Sequence, residues 1–507
     1  MRHLRPSQVA WRVRLAAARR REVRRPERLR QRLARRMAGS RLIDARPGFA
    51  LRWPAPGDAP ARLAELERGE LTLARTTRPF TLEADDPWRL GDPGKAHRLW
   101  THQLHYHLWL IDLAPAADDP ATGPGHVLAH HLNDWLERCP PGAAGFNVFA
   151  WNSYAIATRL TAWAQLLTLL PEAFWRHYHI LRDRLGHSLL QQAAYLETHL
   201  ERDLCANHLL RDVVGLAVAG RVTEGPAAER WRRLAERMAR QQLAEQVLAD
   251  GGHYERSPMY HVQAMQDVHS LARLVTDEGL GRELAAAYER MRDWLAWMRH
   301  PSGHYPLLND ANETGALCPG EVLAVGGREA SAGGGADTDK AADGLVSGTH
   351  GAKVAPPAGR HFEDSGYIVW HGRTWSVFFD AAPIGPDHQP GHGHADTLTL
   401  EASYGGERLI VDPGTGSYDL DATRHYDRST AAHNTVVIDG TDSSEVWHIF
   451  RVGRRARPGD VQVALSGTGL EASARHDGYR HLPGKPTHRR GVRVVEYTLS
   501  LHDALPI

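Results

Sequence analysis

The chain has 507 residues, too many for one ordinary domain and enough for two or three. At 42% hydrophobic and 24% charged it can bury real cores, which excludes a disordered or fibrous protein. Sixty-one basic against sixty acidic residues leave a formal net charge of +1, which argues against a dedicated nucleic-acid binder.

The first 36 residues hold fourteen arginines against two glutamates. They lack the roughly 7–15-residue apolar core of a secretory signal. Residues 1–45 therefore read as a basic N-terminal segment, a solvated helix, with contact to an anionic membrane surface as the alternative. No run of about 18 apolar residues marks a transmembrane span. Without an export signal the expected location is cytoplasmic. Cys139, Cys205 and Cys318 are too few for a disulfide framework, and none form a Cys-x-x-Cys pair.

Residues 46–325 carry a helical pattern. Leu181, Leu185, Leu189, Ala193, Leu196, Leu200 and Leu204 step by three or four and predict one apolar stripe. Trp231, Leu234, Met238, Leu243, Val247 and Leu248 repeat it before Gly251-Gly252. Ser257 is a natural N-cap with Pro258 as the first helical residue of a third helix. Successive helices with short links describe an all-α layer, a bundle or a ring of antiparallel pairs. Residues 326–360, rich in glycine and alanine, read as a linker or insertion. From 361 to 507 the period becomes two: Tyr367–Trp370, Trp375–Phe379, Thr397–Glu401, Leu409–Asp412 and Thr435–Gly440 predict strands of an antiparallel sandwich. Val492–Leu501 reads as a further strand with no closing strands after it, so the sandwich is expected to be incomplete, the chain a fragment and its last residues foreign to the natural protein.

Thirty-one histidines and fifteen tryptophans invite acid–base, metal or sugar chemistry. Three clusters concentrate it. Asn207-His208 opens an apolar helical run, where Asn207 also suits a helix cap. Asp250 to His261 crowds polar side chains at a helix entrance and puts Tyr260 in the first turn, where the helix dipole and Arg256 favour a phenolate. The alternative for Tyr260 is a tyrosine bonded to a backbone carbonyl. Gly391-His392-Gly393-His394-Ala395-Asp396 is followed by Asp412-Pro413-Gly414-Thr415 and Ala432-His433-Asn434-Thr435. Two histidines and an aspartate suit a three-residue zinc site. A two-residue turn at Gly405-Gly406 pairs Asp412 with Thr399 and leaves His394 roughly 17 Å away, so a bend or bulge is needed to join them.

Together these clusters resemble the heparinase II/III family of polysaccharide lyases, over about residues 80–465. Leu99-Trp100 and Leu104-His105-Tyr106 belong to the same ordered set of anchors. The resemblance implies an N-terminal incomplete (α/α) toroid followed by an antiparallel β-sandwich, with a cleft between them. It implies β-elimination at a uronic acid in an acidic polysaccharide. Asn207 and His208 match the groups that neutralise the uronate carboxylate, and Tyr260 and His392 match the proton-transfer pair. Glu255, Arg256 and Tyr106 fall in these anchors and, with Asn309, are the expected substrate-binding residues. His394, Asp412 and His433 match ligands of a structural Zn²⁺. Family members are mostly exported, so the resemblance implies a periplasmic or secreted protein, against the missing signal. Two other functions fit the composition: a non-catalytic glycan-binding or exopolysaccharide-assembly protein, and a glycoside hydrolase using Glu255 and Asp310 as its carboxyl pair.

Overall fold

The computed structural model describes residues 3–44, 47–49, 51, 53, 55–90, 98–330 and 358–496. Most of the 326–360 linker and the tail beyond 496 lie outside the described residues. The chain forms two compact units, Met1–Ala244 with Gln266–Ala286, and Glu245–Met265 with Ala287–Ile507.

The first unit is helical. Two N-terminal helices, Pro6–Arg24 and Pro26–Met37, are separated by Arg25 and start on prolines whose missing N–H costs nothing at a helix entrance. Their Leu15, Leu29 and Leu33 are buried within the unit. The basic segment is thus a docked part of the unit and not merely a solvated helix. The Ser153–Leu169 helix is buried on nearly every face, as an inner helix of a ring must be. It crosses the Ala206–Val222 helix so closely that a Cβ on Gly215 would lie 2.6 Å from Ala157 Cα. The leucine stripe forms the His179–His199 helix, but Leu200 and Leu204 fall past its end. Arg159 is buried among tryptophans and spends its guanidinium on Gln192 and on the carbonyls of His105 and Ala150. Among the described residues no helix is long and apolar enough to cross a membrane.

The second unit is built on a five-stranded antiparallel meander: Ala358–Phe362, Tyr367–His371, Trp375–Asp380, Leu400–Tyr404 and Glu407–Ile410. The alternation predicted from sequence sorts its side chains to two faces. Ile368, Trp370, Val377 and Phe379 face Leu470, Ala472 and Ala474 of a three-stranded sheet, Pro458–Ser466, Gly469–His476 and His488–Val495. Tyr367, Val369 and Phe378 pack on Trp294, Met298 and Leu308. The central strands are covered on both sides and so read as unbroken apolar runs. Fold and sequence agree on an α toroid followed by a β-sandwich.

Two predicted strands differ. Thr397–Thr399 is a turn, with Leu398 at φ 68°, and the strand begins at Leu400. Thr435–Gly440 is no strand, and side-chain bonds tie it down instead of a ladder. Thr435 Oγ1 donates to Thr397 O, and Tyr479 donates to Val436 O. Only a bridge from Ile438 to Thr441 remains. The last strand pair carries a bulge: Tyr404 pairs with Glu407 and Ser403 with Arg408, but Ala402 pairs with Ile410.

Candidate functional site

Ser257 closes the entrance of the Pro258–Leu274 helix as predicted. Its Oγ accepts from the Tyr260 N–H at 3.3 Å and donates to Asp310 O at 2.6 Å. This fixes Tyr260 in the first turn. The Tyr260 ring stacks on His392, with centroids 3.7 Å apart and planes 8° from parallel. His392 Nδ1 lies 2.5 Å from Glu255 Oε2. With the carboxylate accepting from Nδ1–H, the lone pair of His392 sits on Nε2. Sequence had brought Tyr260 and His392 together only through resemblance; here they are in contact, with Glu255 as orienter.

The phenolate expectation fails. Burial first, then Tyr418, Asp310 and Glu255, push the Tyr260 hydroxyl well above its ordinary range. Arg256 gives no help: its guanidinium donates to the carbonyls of Tyr254, Ser365 and Asp364. Asn309 donates from Nδ2 to Arg256 O and accepts the His394 N–H on Oδ1. Asp310 does not suit the acid of a hydrolase pair, being fully buried with its carboxylate held by Arg424, His394 and Thr415. Burial alone would raise it, but Arg424 and His394 overcome that and hold it well below the carboxylate range.

Three residues escaped the sequence reading. The Tyr418 hydroxyl lies 3.3 Å from that of Tyr260. Arg424, on the short Ala422–Arg428 helix, pairs with Asp310 and donates to Thr415 Oγ1 and Ile449 O. Its guanidinium lies over both the Tyr418 and Phe450 rings, and Phe450 meets the His392 ring edge-on at 6.1 Å. Only Tyr418 had a sequence cue, its place just after Asp412-Pro413-Gly414-Thr415. Gly393 between the two histidines is required, since a Cβ there would lie 2.2 Å from Ile384 O.

The three candidate metal ligands gather in the same unit. His433 Nδ1 is 2.7 Å from Asp412 Oδ2, and the His394 and His433 rings are 5.3 Å apart. His394 Nε2 is held by Asp310 at 2.7 Å. That leaves His394 Nδ1 and His433 Nε2 buried without a hydrogen-bond partner, as is Asp396 Oδ2. Two orphaned imidazole nitrogens beside carboxylates are the donor chemistry zinc takes. Among the described residues no group of three or more such side chains is already arranged around one metal position.

In the first unit, Asn207 and His208 lie in the first turn of the Ala206–Val222 helix, so Asn207 is not its cap. Cys205, at the cap position, has φ 62° and Ala206 φ 55°, both strained for residues with a Cβ. His208 Nδ1 is 3.0 Å from Glu201 Oε2, and its ring packs on Tyr154 at 4.9 Å. Tyr154 packs in turn on Tyr106, whose hydroxyl burial, Tyr154 and Glu201 push well up. Burial and Arg98 lower the nearby His102 to about 4, so it stays neutral. Arg211 pairs with Asp267 at 2.9 Å.

A helical toroid joined in sequence to an antiparallel sandwich is the fold of the crystal structure of heparinase III. That match covers 89% of this chain and 71% of the other, at TM-score 0.68 and 18% identity. A heparan sulfate lyase from Pedobacter heparinus matches at TM-score 0.55 and 19% identity, over 92% and 71%. The family models "Heparinase II/III N-terminus" and "Heparinase II/III-like, C-terminal" match residues 73–318 and 354–506, and the chain belongs to the heparinase II/III family. Two relatives are heparin-sulfate lyases. That of Pedobacter heparinus is 25% identical over 378 residues, 71% of this chain and 55% of its own length. That of Bacteroides thetaiotaomicron is 25% identical over 222 residues, 42% and 30%. The chain thus spans between about a third and little more than half the length of these two relatives.

Proposed function

We propose that this protein is a polysaccharide lyase that cuts a uronic-acid-containing glycosaminoglycan by β-elimination. The observation that carries the reading is the stacked Tyr260–His392 pair with Glu255 on the imidazole. The family relatives, themselves heparin-sulfate lyases, support the substrate class.

The chemistry is built on the contact of His392 Nδ1 with Glu255 and on a Tyr260 hydroxyl whose titration is pushed well up. His392 Nε2 takes the C5 proton of the uronate. The C5–H electron pair becomes the C4–C5 double bond as the C4–O4 bond breaks. Tyr260, kept protonated by its surroundings, gives its proton to the departing O4. The proton on His392 then restores the phenol. The step demands that the uronate carboxylate be neutralised, because the negative charge that develops at C5 as the proton leaves otherwise adds to that of the carboxylate. Family resemblance gives that role to Asn207 and His208, whose amide and imidazole can donate to a carboxylate. Glu255 acts through His392 and not on sugar directly.

Elimination leaves a conjugated double bond, so incubation with heparan sulfate is expected to generate new ultraviolet absorbance. Reducing ends appearing without that absorbance would indicate hydrolysis, and binding without either would indicate a glycan-binding protein.

We further propose that His394, Asp412 and His433 hold a structural zinc, which when bound would tie their three segments together. Purified protein is expected to contain stoichiometric zinc, lost in Asp412→Ala together with thermal stability. Metal-free protein that melts unchanged after zinc addition would overturn this assignment.

A further inference from the structure

Fourteen arginines and two glutamates give the first 36 residues a formal charge of +12, which leaves the other 471 at −11. The rest of the chain is therefore acidic on balance, although residues 451–496 carry ten basic against four acidic side chains, and the densest positive excess lies in one place, the first 36 residues. That place lies outside the residues matched by the family models, which begin at 73. It is also rigidly seated. Glu22 is buried, 3.3 Å from the Tyr195 hydroxyl and 3.2 Å from His199 Nε2, and it pairs with Arg32. Arg36 pairs with Glu197 at 2.9 Å, and Gln8 Nε2 donates to Asp203 O.

With those contacts made, the corner between the Pro6–Arg24 and Pro26–Met37 helices presents Arg20, Arg21, Arg24, Arg25 and Arg28, all exposed, within nine residues. Of the two acids in that window Glu22 is used internally and Glu27 pairs with Arg30. Helix-dipole compensation accounts for Arg21 and Arg24 in the last turn of the first helix, but not for Arg20, Arg25 or Arg28. Every cation here is arginine, whose planar fork grips a carboxylate or sulfate through two parallel hydrogen bonds.

We propose that this corner is an accessory binding surface for an acidic polysaccharide chain. It draws a polyanion to a chain that is otherwise acidic on balance, and it holds sugar units other than those being cut. The inference rests on the proposed lyase reading for its choice of partner. Uronate and sulfate groups repeat along such a chain, so a long polymer has units to spare for the corner while others occupy the reaction site, and a tetrasaccharide does not.

The test is the full chain carrying R20Q, R24Q, R25Q and R28Q together, at wild-type melting temperature. Affinity and kcat/KM are measured on long heparan sulfate chains and on a heparan tetrasaccharide, at several salt concentrations. The expected result is a roughly tenfold or greater loss for the long chains, with a weaker salt dependence and no change for the tetrasaccharide. Equal affinity of variant and wild type for long chains overturns the proposal. So does a wild-type protein that binds phosphatidylserine vesicles or duplex DNA more tightly than heparan sulfate. If no uronate polymer is turned over, the lyase reading fails, yet the binding comparison still decides the role of the corner.

Discussion

Replacing Tyr260 by phenylalanine is expected to lower kcat on heparan sulfate by about 10²–10⁴-fold while leaving substrate affinity nearly unchanged. The ring stacks face to face on His392, so phenylalanine keeps the contact and removes only the hydroxyl. That hydroxyl reaches Tyr418, a group that a phenylalanine leaves hydrogen-bonded to solvent or substrate. Ultraviolet absorbance gives turnover and calorimetry gives binding. Because burial and the acidic neighbours keep the phenol protonated, its loss removes the acid and not the base. The leaving oxygen would then depart as an alkoxide, which is the costly event the hydroxyl prevents. A variant with wild-type kcat would remove Tyr260 from the chemistry and leave His392 and Glu255 to be explained otherwise.

The parts of this site legible in the sequence were those set by local rules. The Ser257 cap and Pro258 start follow from helix-end chemistry, and both appear as expected. The run Tyr367–Trp370 reads as a strand because neighbouring residues must serve opposite apolar faces, and they do. What was not legible depends on groups distant in sequence. Nothing near Arg424 says that its partner is Asp310, 114 residues earlier. Nothing near Arg256 says that three carbonyls will claim its guanidinium instead of Tyr260. The same limit explains Thr435–Gly440, whose β-branched residues have strand propensity but whose neighbours bind it through side chains. The metal ligands fall between: spacing showed that a bend or bulge was needed, and the turn at Leu398 before the Leu400–Tyr404 strand supplies the bend, while the one-residue shift near Leu409 does not. Their convergence still had to come from the contacts of Asn309 and Asp310 with His394, which no pattern within either segment encodes.

Arg424→Met is expected to destabilise the second unit by about 3–5 kcal/mol, the usual consequence of removing one partner of a buried ion pair. Arg424 and Asp310 are both fully buried, and the guanidinium meets both carboxylate oxygens. Without it Asp310 keeps only His394 and Thr415 as donors, too little to offset a buried negative charge. At roughly 2–4 °C per kcal/mol for a unit of this size, the melting temperature should fall by about 10 °C. Adding Asp310→Asn should recover much of the loss, since the amide oxygen still accepts from His394 and Thr415 but carries no charge. The same arginine fixes Ile449 O and lies over Tyr418 and Phe450, so the double variant should fold yet show weaker substrate binding than wild type. Calorimetric melting decides the first part. A single variant that melts with the wild type would mean that solvent reaches Asp310 and that the ion pair does not hold these segments.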